Sequence, residues 1–201
     1  MPDRPSPVTA RPPAAVERIL DAADSCFTRY GIAKTTMEDV ASAAEISRAT
    51  LYRTFSDRES LLTALVRRHA RMNIERSRAR IMALDTLAER LVEGITWNVR
   101  VGHRDPLMHA LVSPEQMALA NTLLSSTGLA TELTQEFWEP VLVAALDAGE
   151  LRSDLDLVGL CEWIARLEIM FIVQLGDSAE DEARIRRLVA DFVVPSLMPV
   201  G

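Results

Sequence analysis

Between Thr35 and Phe55 the chain carries two helical segments too short to stand by themselves. The first has Val40, Ala41 and Ala44 spaced for one inward side, and the second is "SRATLYRTF", Ser47 to Phe55. Fixing the first turn of a helix costs several dihedrals for one hydrogen bond, so isolated helices below about 12–15 residues are marginal in water. Such segments persist only against longer neighbours, and both flanks supply one. "AVERILDAADSCFTRYG" places Ile19, Leu20, Ala23, Cys26, Phe27 and Tyr30 at three- and four-residue steps, an amphipathic stripe ended by Gly31. Leu61, Leu62, Leu65 and Val66 open a second long stripe that runs to about Ile81. Thr35 with Glu38, and Ser56 with Glu59, have capping-box spacing, and Ser47 is placed to cap the helix that follows it.

From about Asp85 the pattern becomes a larger helical body. Leu87, Leu91 and Ile95 stripe a helix ending near Gly102. Asp105-Pro106 and Ser113-Pro114 read as helix starts. Pro140 sits inside the segment between Gly128 and Gly149 and is expected to kink or break it. Asp154 opens a helix to Leu175, and within it "IARLEIMFIVQL" is apolar almost all round and must be covered on more than one side. A last helix carries Ile185, Leu188, Val189 and Phe192 inward before Pro195. No strand pattern and no internal repeat are present, so the fold class is all-α. The organisation predicted is an extended, disordered arm over 1–13, a head over 14–60 linked by a helix over about 57–82, and a helical body over 61–201.

The net charge of −7 divides unevenly. Residues 1–82 hold 14 Lys/Arg against 10 Asp/Glu, and the remainder 8 against 19. A basic front end on an acidic body suits a polyanionic partner at that end. At 100° per residue, Leu51 and Phe55 fall on one side of the second short helix, whereas Ala49, Thr50 and Arg53 face away. A guanidinium, a hydroxyl and a small methyl-bearing side chain suit the major groove of DNA. Arg48, Ala49, Thr50 and Arg53 are therefore the candidate base contacts. Thr35, Thr36, Ser47, Tyr52 and Arg58 are the candidate phosphate contacts.

At this point the sequence is recognisable. "TTMEDVASAAEISRATLYRTFSDRESLL" resembles the helix-turn-helix of the tetracycline-repressor (TetR) family of transcriptional regulators, over roughly residues 14–65. Two departures stand out: Glu45 occupies the turn position where the family usually has glycine, and Arg58 replaces the usual lysine. The resemblance implies an all-helical homodimer built through the last two long helices, which would read a near-palindromic DNA operator. It also implies a small-molecule effector in the C-terminal body that shifts the two reading heads apart. The candidate lining is Trp97, His103, Met108, His109, Met117, Phe137 and Trp138, with Trp163 shared between this reading and a dimer interface.

Other chemistries are disfavoured. There is no phosphate-cradling glycine loop and no nucleophile elbow, so an enzyme is not expected. The six-residue spacing of His103 and His109 fits no metal pattern, and no metal or cofactor is implied. His69 is read as a partly exposed helix residue. Cys26 and Cys161 sit in apolar helical patterns and are read as buried free thiols. The first residues lack the hydrophobic core of a secretory leader and no apolar run reaches membrane-spanning length, so a cytoplasmic location without membrane insertion is expected. The alternative function is a helical adaptor or ligand-sequestering protein that has lost DNA binding, a reading that Glu45 and the net acidity favour.

Overall fold

A computed structural model describes residues 14–111, 113–120 and 128–199. The predicted arm at 1–13 lies outside them. The described residues contain helices and no β-strand. The described residues fall into two compact units, one ending at Leu61 and the other beginning at Leu62.

The first unit holds α1 (Ala14–Tyr30), α2 (Met37–Ala43) and α3 (Arg48–Thr54), and α4 (Arg58–Met82) leads out of it. Its buried side chains include Ile19, Leu20, Phe27, Val40, Leu51, Phe55 and Leu61. Tyr30, placed on the α1 stripe by periodicity, is exposed instead. Two guanidinium groups tie the loops to this core: Arg18 donates to the carbonyl of Ala44 at 3.0 Å, and Arg58 donates to that of Ile32. Each satisfies a backbone acceptor that has no partner within a helix, one at the end of α2 and one in the loop before it.

The caps differ from the predicted spacings by one residue. Thr36, not Thr35, caps α2: its hydroxyl accepts from the Asp39 N–H while Asp39 accepts from the Thr36 N–H at 2.9 Å. Asp57, not Ser56, opens α4, accepting from the Ser60 N–H at 2.7 Å. Ser47 caps α3 as expected, accepting from the Thr50 N–H at 3.1 Å.

Between α2 and α3 the chain reverses through a Schellman turn. Ile46 N–H donates to Ala41 O and Glu45 N–H to Ser42 O. That geometry needs a left-handed residue, and Glu45 has φ 55°, the one non-glycine residue with positive φ among those described.

The second unit is built on α5 (Leu87–Arg104), α8 (Leu129–Asp147) and α9 (Leu157–Gln174). Short α6 (Pro106–Leu111) and α7 (Met117–Ala120) lie between α5 and α8, and α10 (Ala179–Leu188) and α11 (Val194–Leu197) follow α9. A one-turn π-helical segment, Val189–Val193, joins the last two. One apolar core includes Leu91, Ile95, Trp138, Leu142, Ile164 and Val189. Gly94 lets α5 approach α8 closely: a Cβ there would meet the Trp138 ring at 2.5 Å.

One helix boundary and two side-chain placements bear on the sequence expectations. Pro140 is carried inside a continuous α8. Asp156 rather than Asp154 caps α9, and Asp154 is paired with Arg152 at 2.6 Å. Phe192, read as inward, is 71% exposed because the π segment re-phases the helix there.

Relieving the left-handed strain at the turn should stabilise the protein. Glu45→Gly is expected to raise the unfolding free energy by about 1 kcal/mol. It would be read as a higher urea midpoint at unchanged slope, and a lowered midpoint would contradict the account.

Candidate nucleic-acid interface and small-molecule cavity

Leu51 is fully buried and Phe55 nearly so, which fixes the rotation of α3 about its axis. Arg48, Ala49, Tyr52 and Arg53 are therefore exposed, and Thr50 is half-buried. The Thr50 hydroxyl lies 2.9 Å from that of Ser47, so the cap also orients this side chain. Arg48 is parked against neighbours: it pairs with Glu38 of α2 at 2.6 Å and its guanidinium lies 5.3 Å from the centre of the Tyr52 ring. Both partners in the ion pair are more than half exposed, so it is weak and open to competition from a stronger anion. Arg53 has no such tether recorded and faces outward at the end of α3.

Two of the phosphate candidates are corrected. Thr35 is buried, and its hydroxyl lies within hydrogen-bond reach of the carbonyls of Cys26 at 3.1 Å and Gly31 at 2.9 Å. It closes the end of α1 and presents no group to a phosphate. Arg58 is turned inward to the Ile32 carbonyl. Thr36, Ser47 and Tyr52 remain at the surface.

The second unit contains a cavity of about 140 Å³ lined by α4, α5, α6, α8 and α9. Its walls are largely apolar: Val66, Ile74, Val101, Leu133, Ile169 and Ile172. Gly102 brings α5 against α9 here, since a Cβ would meet Ile172 at 2.5 Å. The polar groups are arranged in two sets. In one, His69 Nδ1 and Asp105 Oδ2 are 2.6 Å apart. Burial raises the Asp105 carboxyl, but the His69 hydrogen bond and charge, with the N–H groups of Met108 and Leu107, outweigh it and hold the pKa below the ordinary value. Asp105 thus caps α6, as its sequence position suggested.

The other set is a directed chain. Trp97 Nε1 donates to Asn73 Oδ1 at 2.7 Å, Asn73 Nδ2 to Asn98 Oδ1 at 3.2 Å, and Asn98 Nδ2 to Glu168 Oε1 at 2.9 Å. Trp138 Nε1 donates to the same Glu168 oxygen at 3.3 Å. Glu168 is buried, and burial pushes its carboxyl up to about 7, with the bonds from Asn98 and Trp138 holding it back.

Of the residues read as ligand lining, Met108 and Phe137 border the cavity. Trp138 is fully buried behind it and acts through Glu168. Trp97 sits at the far end of the polar chain, with its ring stacked under Arg100. His103 is outside the lining; burial lowers its pKa, and its Nε2 has no hydrogen-bond partner. His109 is exposed, and the Met117 side chain lies outside the described atoms. His69, read as a partly exposed helix residue, is a half-buried residue of α4 and also forms a wall of the cavity. The described residues contain no group of three metal-ligating side chains.

The sequence reading missed Glu168, Asn73, Asn98 and Asp105 as lining residues. Only Glu168 carried a signal, as a lone carboxylate inside an almost unbroken apolar run, which must be buried with partners. The asparagines have no such mark.

An all-helical chain with a helix-turn-helix unit and a cavity-bearing helical unit is the architecture of a ligand-linked DNA-binding regulator. Comparison with known proteins agrees. The family described as "Bacterial regulatory proteins, tetR family" matches residues 19–65. The HTH-type transcriptional regulator MT1294 of Mycobacterium tuberculosis (strain CDC 1551 / Oshkosh) is 31% identical over 187 residues, covering 93% of this chain and 87% of that protein. The HTH-type transcriptional repressor KstR2 of Rhodococcus jostii (strain RHA1) is 32% identical over 149 residues, 69% of each chain. A TetR-family regulator from Pectobacterium atrosepticum, 21% identical, shares the fold with a TM-score of 0.66, covering 94% of this chain and 99% of that one. The chain belongs to the TetR family of transcriptional regulators.

The buried carboxyl makes stability depend on pH with a definite sign. Below about 4.5 Glu168 is neutral folded or unfolded. Between about 4.5 and 7 the folded form keeps a proton that the unfolded form has released, so raising pH costs stability, and above 7 the whole cost persists. Glu168→Gln should therefore gain on the natural protein as pH rises from about 5 to about 8, by a few kcal/mol at most. Urea titrations across that range measure it, and a difference that is flat in pH would refute the burial argument.

Proposed function

We propose that the protein is a dimeric, cytoplasmic repressor that binds a near-palindromic operator and is released from it by a small molecule. The observation that carries the DNA-reading part is the rotation of α3, in which burial of Leu51 and Phe55 leaves Ala49 and Arg53 outward. Arg53, Arg48, Ala49 and Thr50 are assigned to base edges. Thr36, Ser47 and Tyr52 are assigned to phosphates; Thr35 and Arg58 instead support the scaffold. Arg48 must exchange Glu38 for DNA, which costs little at an exposed pair. The body is assigned to effector binding and dimerisation. Regulation is a population shift: the effector must prefer the arrangement of heads that fits DNA poorly. Its relatives are transcriptional regulators, and no enzymatic role is assigned. No helix among the described residues is long and apolar enough to cross a membrane.

For the dimer, α9 carries the supporting feature. Val158, Trp163, Met170 and Val173 are exposed along one side of it, although its other side is deep in the core. Exposed Phe192, beyond α10, adds to the apolar surface of the C-terminal helices. An apolar side on a helix already packed internally is the signature of a second interface.

Selection of bound sites from random duplex DNA would supply the operator. With it, Arg53→Ala should weaken specific binding by about 1–3 kcal/mol. The natural protein's affinity should fall steeply with salt. Arg53→Ala binding as tightly as the natural protein at low salt would remove Arg53 from the interface. Sedimentation at micromolar concentration should give a dimer, and Trp163→Asp should shift it toward monomer. A monomeric natural protein would end the two-fold reading.

A further inference from the structure

We propose that the cavity of the second unit receives a small organic cation, an amine carried on an apolar body about the size of one six-membered ring. The proposal rests on the effector reading above and gives that effector a chemical class.

Size comes first. A volume of about 140 Å³ is close to that of an engineered apolar cavity of about 150 Å³ that holds benzene. Charge comes second. Among the described residues, no lysine or arginine lines the cavity. Its ionisable lining is two carboxyls, Glu168 and Asp105, and one imidazole, His69, which is already engaged with Asp105. With Glu168 ionised, the lining carries at least as much negative as positive charge whatever the state of His69. An anion entering would meet no free cation, whereas a monocation meets an unmatched carboxylate.

Geometry comes third. Glu168 Oε1 accepts from both Asn98 and Trp138, which leaves Oε2 as the oxygen with no hydrogen bond recorded to another described residue. The chain of amides from Trp97 presents only donors to Oε1, so it holds the carboxylate without neutralising it. Phe137 in the wall offers an aromatic ring to an ammonium group. Arg71 of α4, next in the chain to lining Ala70, is paired with Glu136 of α8, and the Cys161 thiol of α9 is pushed up to about 11.

The test is calorimetry on the full chain at pH 7 with three probes of one shape: benzylamine, benzyl alcohol and benzoate. Benzylamine should bind at least about tenfold more tightly than benzyl alcohol, and benzoate should not bind. Glu168→Gln should weaken benzylamine about tenfold or more and leave benzyl alcohol within about twofold. A second readout needs no variant. Burial holds the Glu168 carboxyl well above its ordinary value, so pairing it with an ammonium at neutral pH should release protons, measured by repeating the titration in buffers of different ionisation enthalpy. The proposal is overturned if benzylamine does not bind, if benzyl alcohol matches it, if Glu168→Gln leaves its affinity unchanged, or if it binds without proton release. A protein that binds operator DNA but favours benzyl alcohol would sink this inference and leave the regulator standing. One that binds benzylamine through Glu168 yet ignores duplex DNA would do the reverse.

Discussion

The burial of Leu51 is the constraint on which the DNA-reading unit depends. A seven-residue helix has no independent existence, so its position and rotation come from the side chain it sinks into its neighbours. With Leu51 at zero exposure and Phe55 closing the end, the outward face is decided before any nucleic acid is met. The rest of the unit serves this placement. Ser47 caps the helix, the Schellman turn sets where it starts, and Arg18 and Arg58 hold loop carbonyls that would otherwise be unsatisfied. Glu45 tolerates a left-handed backbone for the same reason: the turn is over-determined by what lies on both sides of it.

The second unit uses a different device. Its core is apolar, but a polar chain crosses it from Trp97 to Glu168, and every amide in that chain is oriented by the next. A buried carboxyl is costly unless hydrogen-bonded, and here the bonds reach only one of its oxygens. A polar group kept at such cost beside a cavity, with apolar walls around it, is the feature on which the proposed effector selectivity rests.

Legibility differed between these two regions for a physical reason. The head is built from local rules, with amphipathic spacing, caps and a tight turn all within a few residues of each other, so its helices and its reading face could be placed from sequence. The cap errors there were single-residue shifts, and the others were side chains whose partners lie outside the local sequence. Thr35 and Thr36 are both β-branched hydroxyl residues, and only the carbonyls of Cys26 and Gly31 decide which one is buried. Arg58 looked like a phosphate ligand because its charge is visible in sequence and the Ile32 carbonyl it binds is not. In the body, the family resemblance implied a cavity, and aromatic and methionine side chains suggested its lining, but among the described side chains of that proposed lining Met108 and Phe137 are the two that border it. Trp97 and Trp138 proved to be parts of the frame that holds Glu168.

By itself the sequence determined the all-helical class, the helix-turn-helix, the outward set on α3 and the family, because each follows from periodicities and turns that are local in the chain. The tertiary structure decided which of two adjacent threonines is a cap, where the free apolar side of α9 lies, and that His69, Asn73, Asn98, Asp105 and Glu168 meet around one cavity. Those residues come from α4, α5, the turn that follows α5, and the distant α9, and what joins them is the packing of rods whose side chains have no local pattern to announce it.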